Sequence, residues 1–224
     1  MTLKKSITIV AVNATVEVVS SAFAGWSMGG YGQRGGGWHH RGWGRRTWIR
    51  VNTFEMKQLK DKLLARLFTR YPSMLRRWAQ KARIAGYSEP PWTSFTGDPA
   101  KSRLALITTG GFHLKSQPPF DMKDRQGDPS FREIPADAKP VGLSITHNYY
   151  DNRDAVRDIN TVFPLERVRL LEQFGEIGKV NHRHFSFMGH ISNRHLDTLI
   201  NETAPGVAEK LQEDGVDIAL LTPA

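Results

Sequence analysis

Apolar residues return at helical spacing through Leu59, Leu63, Leu64, Leu67 and Phe68, stop at Pro72, and resume with Met74, Leu75 and Trp78. This pattern predicts two helices within 56–85, because proline removes an amide donor and clashes with the preceding turn. Gly86 to Pro99, with three prolines, reads as a linker. From Arg103 onward, short apolar runs alternate with helical periodicity. Leu104–Thr109 reads as a buried strand followed by Gly110-Gly111, and Val141–His147 as the next strand. Between them, 115–140 is rich in Pro, Asp and Gly without periodicity, which predicts a long ordered or semi-ordered loop, commonly a functional one. Pro164 suits the first position of a helix carrying Leu165, Val168, Leu171 and Phe174 and closed by Gly175. A short strand follows around Phe185–Met188. Leu196, Leu199 and Ile200 mark a further helix, which Pro205 restarts, Val207, Ala208 and Leu211 continue, and Gly215 ends before a terminal strand, Asp217–Leu221. The alternation predicts an α/β domain over 100–224: an open parallel sheet with flanking helices, preceded by a basic helical segment and a disordered Gly-rich leader. The terminal strand is expected to lack a covering crossover helix and to leave its sheet edge unpaired.

Charge sharpens this division. Residues 1–98 hold 16 Lys/Arg against 5 Asp/Glu, whereas 99–224 hold 15 against 17, so the formal +9 belongs to the front part. A nucleic-acid function inferred from net charge alone would misplace it, and no nucleic-acid partner is expected for the α/β domain. Residues 1–24 begin with Lys4-Lys5 and a mildly apolar run and end in Ala22-Phe23-Ala24, a small-x-small pattern. They read either as a secretory signal or as a leader from a start assigned too far upstream. Residues 25–50, with Gly, Trp, Arg and paired His39-His40, cannot bury enough apolar surface to fold alone and read as a linker. Cysteine is absent, which excludes disulfides, thiolate metal sites and a thiol nucleophile within these residues.

Polar chemistry gathers after the predicted strands. His113 follows the first, His147 through Arg153 the second, and His190 the third. Strand ends at one edge of a parallel sheet converge, so His113, His147 and His190, with Asp151 and Arg153, are the pocket candidates. Each histidine has the alternative of being a satisfied structural group. His182, His184 and His190 lack a carboxylate at diagnostic spacing, and no metal site is expected. Asp121, Asp124, Asp128 and Glu133 suit acid–base work or a hard cation, but the prolines and glycine among them favour ordinary turn chemistry.

Five stretches decide the reading: Thr108-Thr109-Gly110-Gly111-Phe112-His113 through Pro118-Pro119-Phe120-Asp121; Gly127-Asp128-Pro129 through Ile134-Pro135; Ile145-Thr146-His147-Asn148-Tyr149-Tyr150-Asp151; Asp158-Ile159-Asn160 through Phe163-Pro164; and His184-Phe185-Ser186-Phe187-Met188-Gly189-His190. In this order the segment 103–224 resembles the glycine/sarcosine/betaine and D-proline reductase family, selenoprotein B component. The resemblance implies reductive cleavage of a carbon–nitrogen bond in an amino acid or N-methylated amino acid. It further implies a selenocysteine expected just after Ala224 in the full-length protein, no catalytic residue and no cofactor in this chain, and an inactive 224-residue form truncated at a UGA codon. Partner reductase subunits, one of them bearing a pyruvoyl group in some members, and a thiol or thioredoxin-like reductant follow from the same resemblance. So does a cytoplasmic location. His113, His147, Asp151, Arg153 and His190 then belong to the substrate pocket. A non-catalytic scaffold of the same fold and a secreted or membrane-surface basic protein are the alternatives, the membrane surface being the less expected of the two.

Overall fold

The computed structural model describes residues 8–11, 53–81 and 95–224. The Gly-rich segment 25–50 lies outside them. Among the described residues there are eight strands: β1 (Thr8–Ala11), β2 (Arg103–Thr108), β3 (Phe112–Leu114), β4 (Arg132–Pro135), β5 (Leu143–Ile145), β6 (Lys179–Val180), β7 (Arg183–Ser186) and β8 (Ile218–Thr222). The main sheet has the order β1-β8-β2-β7-β4, with β6 also pairing with β2. β2 runs parallel to β6, β7 and β8. Its residues alternate between two cores. Ala105 and Ile107 meet Phe185, Phe187, Val207 and Leu211 on one face, whereas Leu104 and Leu106 meet Phe112, Phe163, Leu165 and Val168 on the other. A strand covered on both faces needs an unbroken apolar run, which is why Leu104–Ile107 shows no polar alternation. Helices supply the covers: α4 (Leu165–Gln173) on the second face and α6 (Ala204–Glu213) on the first.

The sheet is mixed where sequence predicts it parallel. β4 pairs antiparallel with β7 at one edge and β1 antiparallel with β8 at the other. β4 lies inside the stretch read as loop; only Ile134 of its four residues is buried, too few to show a period. The predicted strand Val141–His147 shrinks to β5, because Pro140–Gly142 forms a 3₁₀ turn. β5 pairs with β3 in a separate two-stranded sheet and never enters the parallel one. The terminal strand is corrected too: β8 lies between β1 and β2 and is hydrogen-bonded on both sides. Part of the expected leader is therefore strand.

The basic segment forms α1 (Thr53–Arg70) and α2 (Pro72–Lys81), broken as expected at Pro72. A short α3 (Arg153–Arg157) follows the His147 loop. In α4 only Leu165 and Val168 reach the core; Leu171 and Phe174 are exposed. α5 (Arg194–Thr198) runs through a π-helical turn, Leu199–Thr203, directly into α6. Pro205 has no amide to give to Asn201, and the backbone widens there, Ala204 N–H donating to Leu199 O five residues back.

Candidate active site

The carboxyl ends of β2, β7 and β8 meet at one edge. Phe187 N–H donates to Thr108 O (2.8 Å), Gly111 N–H to Phe187 O (2.8 Å) and Thr109 N–H to Thr222 O (3.2 Å), so the three outgoing segments are laced together before they diverge. His147 is buried against this edge. Gly189, at φ +82°, makes room for it: a Cβ there would stand 2.7 Å from Thr109 O and 3.2 Å from His147 Nε2. His147 Nδ1 accepts the Tyr149 amide at 3.0 Å, which puts the proton of the neutral ring on Nε2, facing Gly189. Burial first, and the electrostatic effect of His190 second, push its pKa down to about 3. His147 is therefore a neutral donor at physiological pH.

Aromatic rings enclose it. Tyr150 stands edge-on at 4.6 Å between centroids, and its hydroxyl donates to Gly110 O at 3.1 Å. Burial pushes the Tyr150 phenol far up, so it remains protonated. Tyr149 stacks on His190 at 4.0 Å. Its phenol is raised by burial and by Asp61 of α1, while Asp151 is held down by Arg153 first and by Arg66 of α1 among lesser causes, so charges on α1 act on this loop. Tyr149 and Tyr150 are not among the residues predicted from sequence; their place beside His147 in the chain is the signal that could have found them.

Of the predicted pocket residues, the structure joins His147 and His190. His190 Nε2 donates to Arg125 O at 3.1 Å, and the long loop presses against its backbone at Gly127, φ +93°, where a Cβ would fall 1.5 Å from His190 O. Asp124 secures that loop by binding both Arg194 and His195 of α5. Asp151 and Arg153 form a bidentate pair at the start of α3, with Asp151 covered and Arg153 mostly exposed. His113 stands on β3 with both ring nitrogens engaged, Nδ1 with Leu114 O and Nε2 with Thr146 Oγ1, each at 2.9 Å. It braces the residue before His147.

The loop carboxylates do turn chemistry. Asp121, Asp124 and Asp128 each accept the amide two residues on, and Glu133 pairs with Arg183 and Lys210. His184 lies fully buried in the sheet, its Nδ1 accepting the Leu106 amide at 3.1 Å. Burial, then Arg169 and His182, push its pKa to about 3.

D-proline reductase subunit gamma of Acetoanaerobium sticklandii is 37% identical over 133 residues, an overlap of 59% of this chain and 53% of that protein, so the chain spans about half the relative's length. No solved structure matches. The sequence model of the glycine/sarcosine/betaine reductase selenoprotein B family matches residues 93–224, from the lead into β2 through β8. Every strand end that packs around His147 falls within that match, and the chain belongs to this family.

Proposed function

We propose that residues 95–224 form the substrate-binding part of a selenoprotein-B-type reductase, which reductively cleaves a carbon–nitrogen bond of an amino acid or N-methylated amino acid of the glycine, sarcosine, betaine or D-proline class. The observation that carries the reading is His147: a buried, neutral imidazole with its proton on Nε2, set where three strand ends meet, inside the segment that matches the family. A neutral donor there can orient a substrate carboxylate without a change of its own charge near neutral pH. Tyr150 holds its phenolic proton and fixes the Gly110 carbonyl, while Tyr149 and His190 form an aromatic wall that excludes water. His113, through Thr146, positions His147 and does not touch the substrate. Arg153 is committed to Asp151 and shapes the rim.

The electrons come from elsewhere. Histidine, aspartate and arginine move protons and place charges but cannot cycle through a disulfide or selenenylsulfide, and residues 1–224 contain no cysteine. A selenolate outside these residues supplies the nucleophilic, reducible centre when present. Partner subunits, including a pyruvoyl-bearing one where the substrate amine needs activation, a thiol or thioredoxin-like reductant and a cytoplasmic setting belong to the same reading.

Calorimetric titration of the 224-residue chain with glycine, sarcosine, betaine and D-proline tests it. One of the four binds saturably, and His147→Phe weakens that binding by about tenfold, about 1.4 kcal/mol. The same chain supplied with dithiothreitol turns over none of them. Absence of binding by all four removes the substrate reading; turnover above a blank removes the placement of the electron carrier.

A further inference from the structure

α1 is turned the wrong way for an ordinary surface helix. Its buried position is Ala65, 7% exposed, and Asp61, on the same side of the helix, is among the causes that raise the Tyr149 phenol, which turns the Asp61–Ala65 side toward the site loop. At 100° per residue, Met56, Leu59, Leu63 and Leu67 fall on the opposite side, three and four residues apart. Met56, Leu59 and Leu63 are 55%, 54% and 54% exposed and Leu64 is 39% exposed. Together with Lys60 and Leu67 they line an open groove of about 420 Å³. An amphipathic helix normally buries this stripe; here, among the described residues, none covers it.

Charge identifies the occupant. Residues 53–81 carry eight Lys/Arg against two Asp/Glu. Lys60 stands in the groove and Arg70 continues its row, whereas Asp61 lies on the inner side. A second copy docked on the stripe would set Lys60 and Arg70 against further cations, and like-charge juxtaposition disfavours that pairing. We propose that the Met56–Leu67 face of α1 docks an acidic amphipathic helix of a partner protein, its apolar residues entering the groove and its flanking carboxylates meeting Lys60 and Arg70. The partner then lies on the side of α1 opposite Asp61 and Ala65. The inference stands apart from the reductase reading, since it rests on the face and its charge alone.

The test uses a designed fluorescein-labelled helical peptide with leucine at a and d positions and glutamate on its flanks, its lysine-flanked counterpart, and vesicles of phosphatidylcholine with phosphatidylglycerol. The full 224-residue chain binds the glutamate peptide saturably by anisotropy and more weakly as salt rises. Leu63→Asp and Lys60→Glu each weaken binding about tenfold with unchanged thermal melting, as expected of exposed positions. Equal binding of the two peptides overturns the proposal. So does vesicle binding that Leu63→Asp abolishes without any peptide binding, which assigns the face to lipid, or a sedimentation dimer that Leu63→Asp dissolves, which assigns it to a second copy. Because the chain has no cysteine, Leu63→Cys provides a single thiol. Labelling of that thiol at the rate of the denatured chain supports an open face. Strong protection in the monomer shows that the chain covers it itself and also overturns the proposal.

Discussion

His147 and His184 show how one side chain serves two purposes through the same physical cause. Both are buried, both accept a backbone amide on Nδ1, and both are driven neutral, yet only His147 faces the edge where the strand ends open. We expect the His147 ring signals in an NMR titration to stay at their neutral positions from pH 8 down to pH 5; a midpoint near the ordinary histidine value would mean that water reaches the ring. Gly127 is the most constrained residue of the site wall. Alanine there meets both a positive φ and the His190 carbonyl, so Gly127→Ala should cost about 2–4 kcal/mol and detach His190 from Tyr149. Urea unfolding reads the first effect and loss of the Tyr149 ring-current shift on His190 reads the second. The candidates His147 and His190 were legible as residues following apolar runs. The bracing role of His113 was not, since its partner Thr146 lies 33 positions away.

Among the elements, β2 is held by more than strand pairing. β6 pairs with it at Arg103 and Leu104, and β7 at Ile107 and Thr108. The Leu106 amide falls in the gap and is met by the His184 ring. His184→Leu gains an apolar side chain but leaves a buried amide unpaired, and we expect a net loss of about 1–3 kcal/mol in urea unfolding. Stability equal to wild type would show that the bond contributes nothing measurable. The helices were legible because periodicity is local: Pro72, Pro164 and Pro205 each mark a real boundary or distortion. β4 and the shortened β5 were not, because strands of three or four residues, half covered, carry almost no pattern and are created by their partners.

Across the whole molecule, the two neutral histidines set an acid limit. The unfolded chain titrates them near 6.5 and the folded chain near 3, so the unfolded state binds more protons between these values. Their contribution to stability is complete above about pH 6.5 and declines as pH falls toward 3, with a slope of up to about 1.4 kcal/mol per pH unit for each ring. Asp214 behaves in the acid sense. Burial opposes its ionisation, but hydrogen bonds from Arg183 and Asn181 hold its pKa below the usual 3.8, so its contribution is present above that value and is lost below it. Urea midpoints should therefore fall steadily from pH 7 to pH 4 and more steeply below. His184→Leu should make the upper part of the curve shallower. A midpoint constant from pH 7 to pH 4 would contradict burial of both rings.

The sequence alone determined the two-sided burial of β2, the positions of the helices, the absence of any thiol chemistry in these residues, and the family, because each rests on residue identity or on spacing along the chain. Tertiary structure decided which strands are neighbours and which face of a helix is used. β1 and β4 take antiparallel places because edge positions are filled by whatever segment can complete the hydrogen bonds of β8 and β7. His184 belongs to the middle of the sheet and His147 to the edge where the strand ends meet, because the Leu106 amide, 78 residues away in sequence, meets the one and Gly189 closes against the other. α1 turns Met56, Leu59 and Leu63 outward while Ala65, on its opposite side, is the position it buries. Periodicity tells which residues share a face; only contact between distant segments tells which face is turned inward.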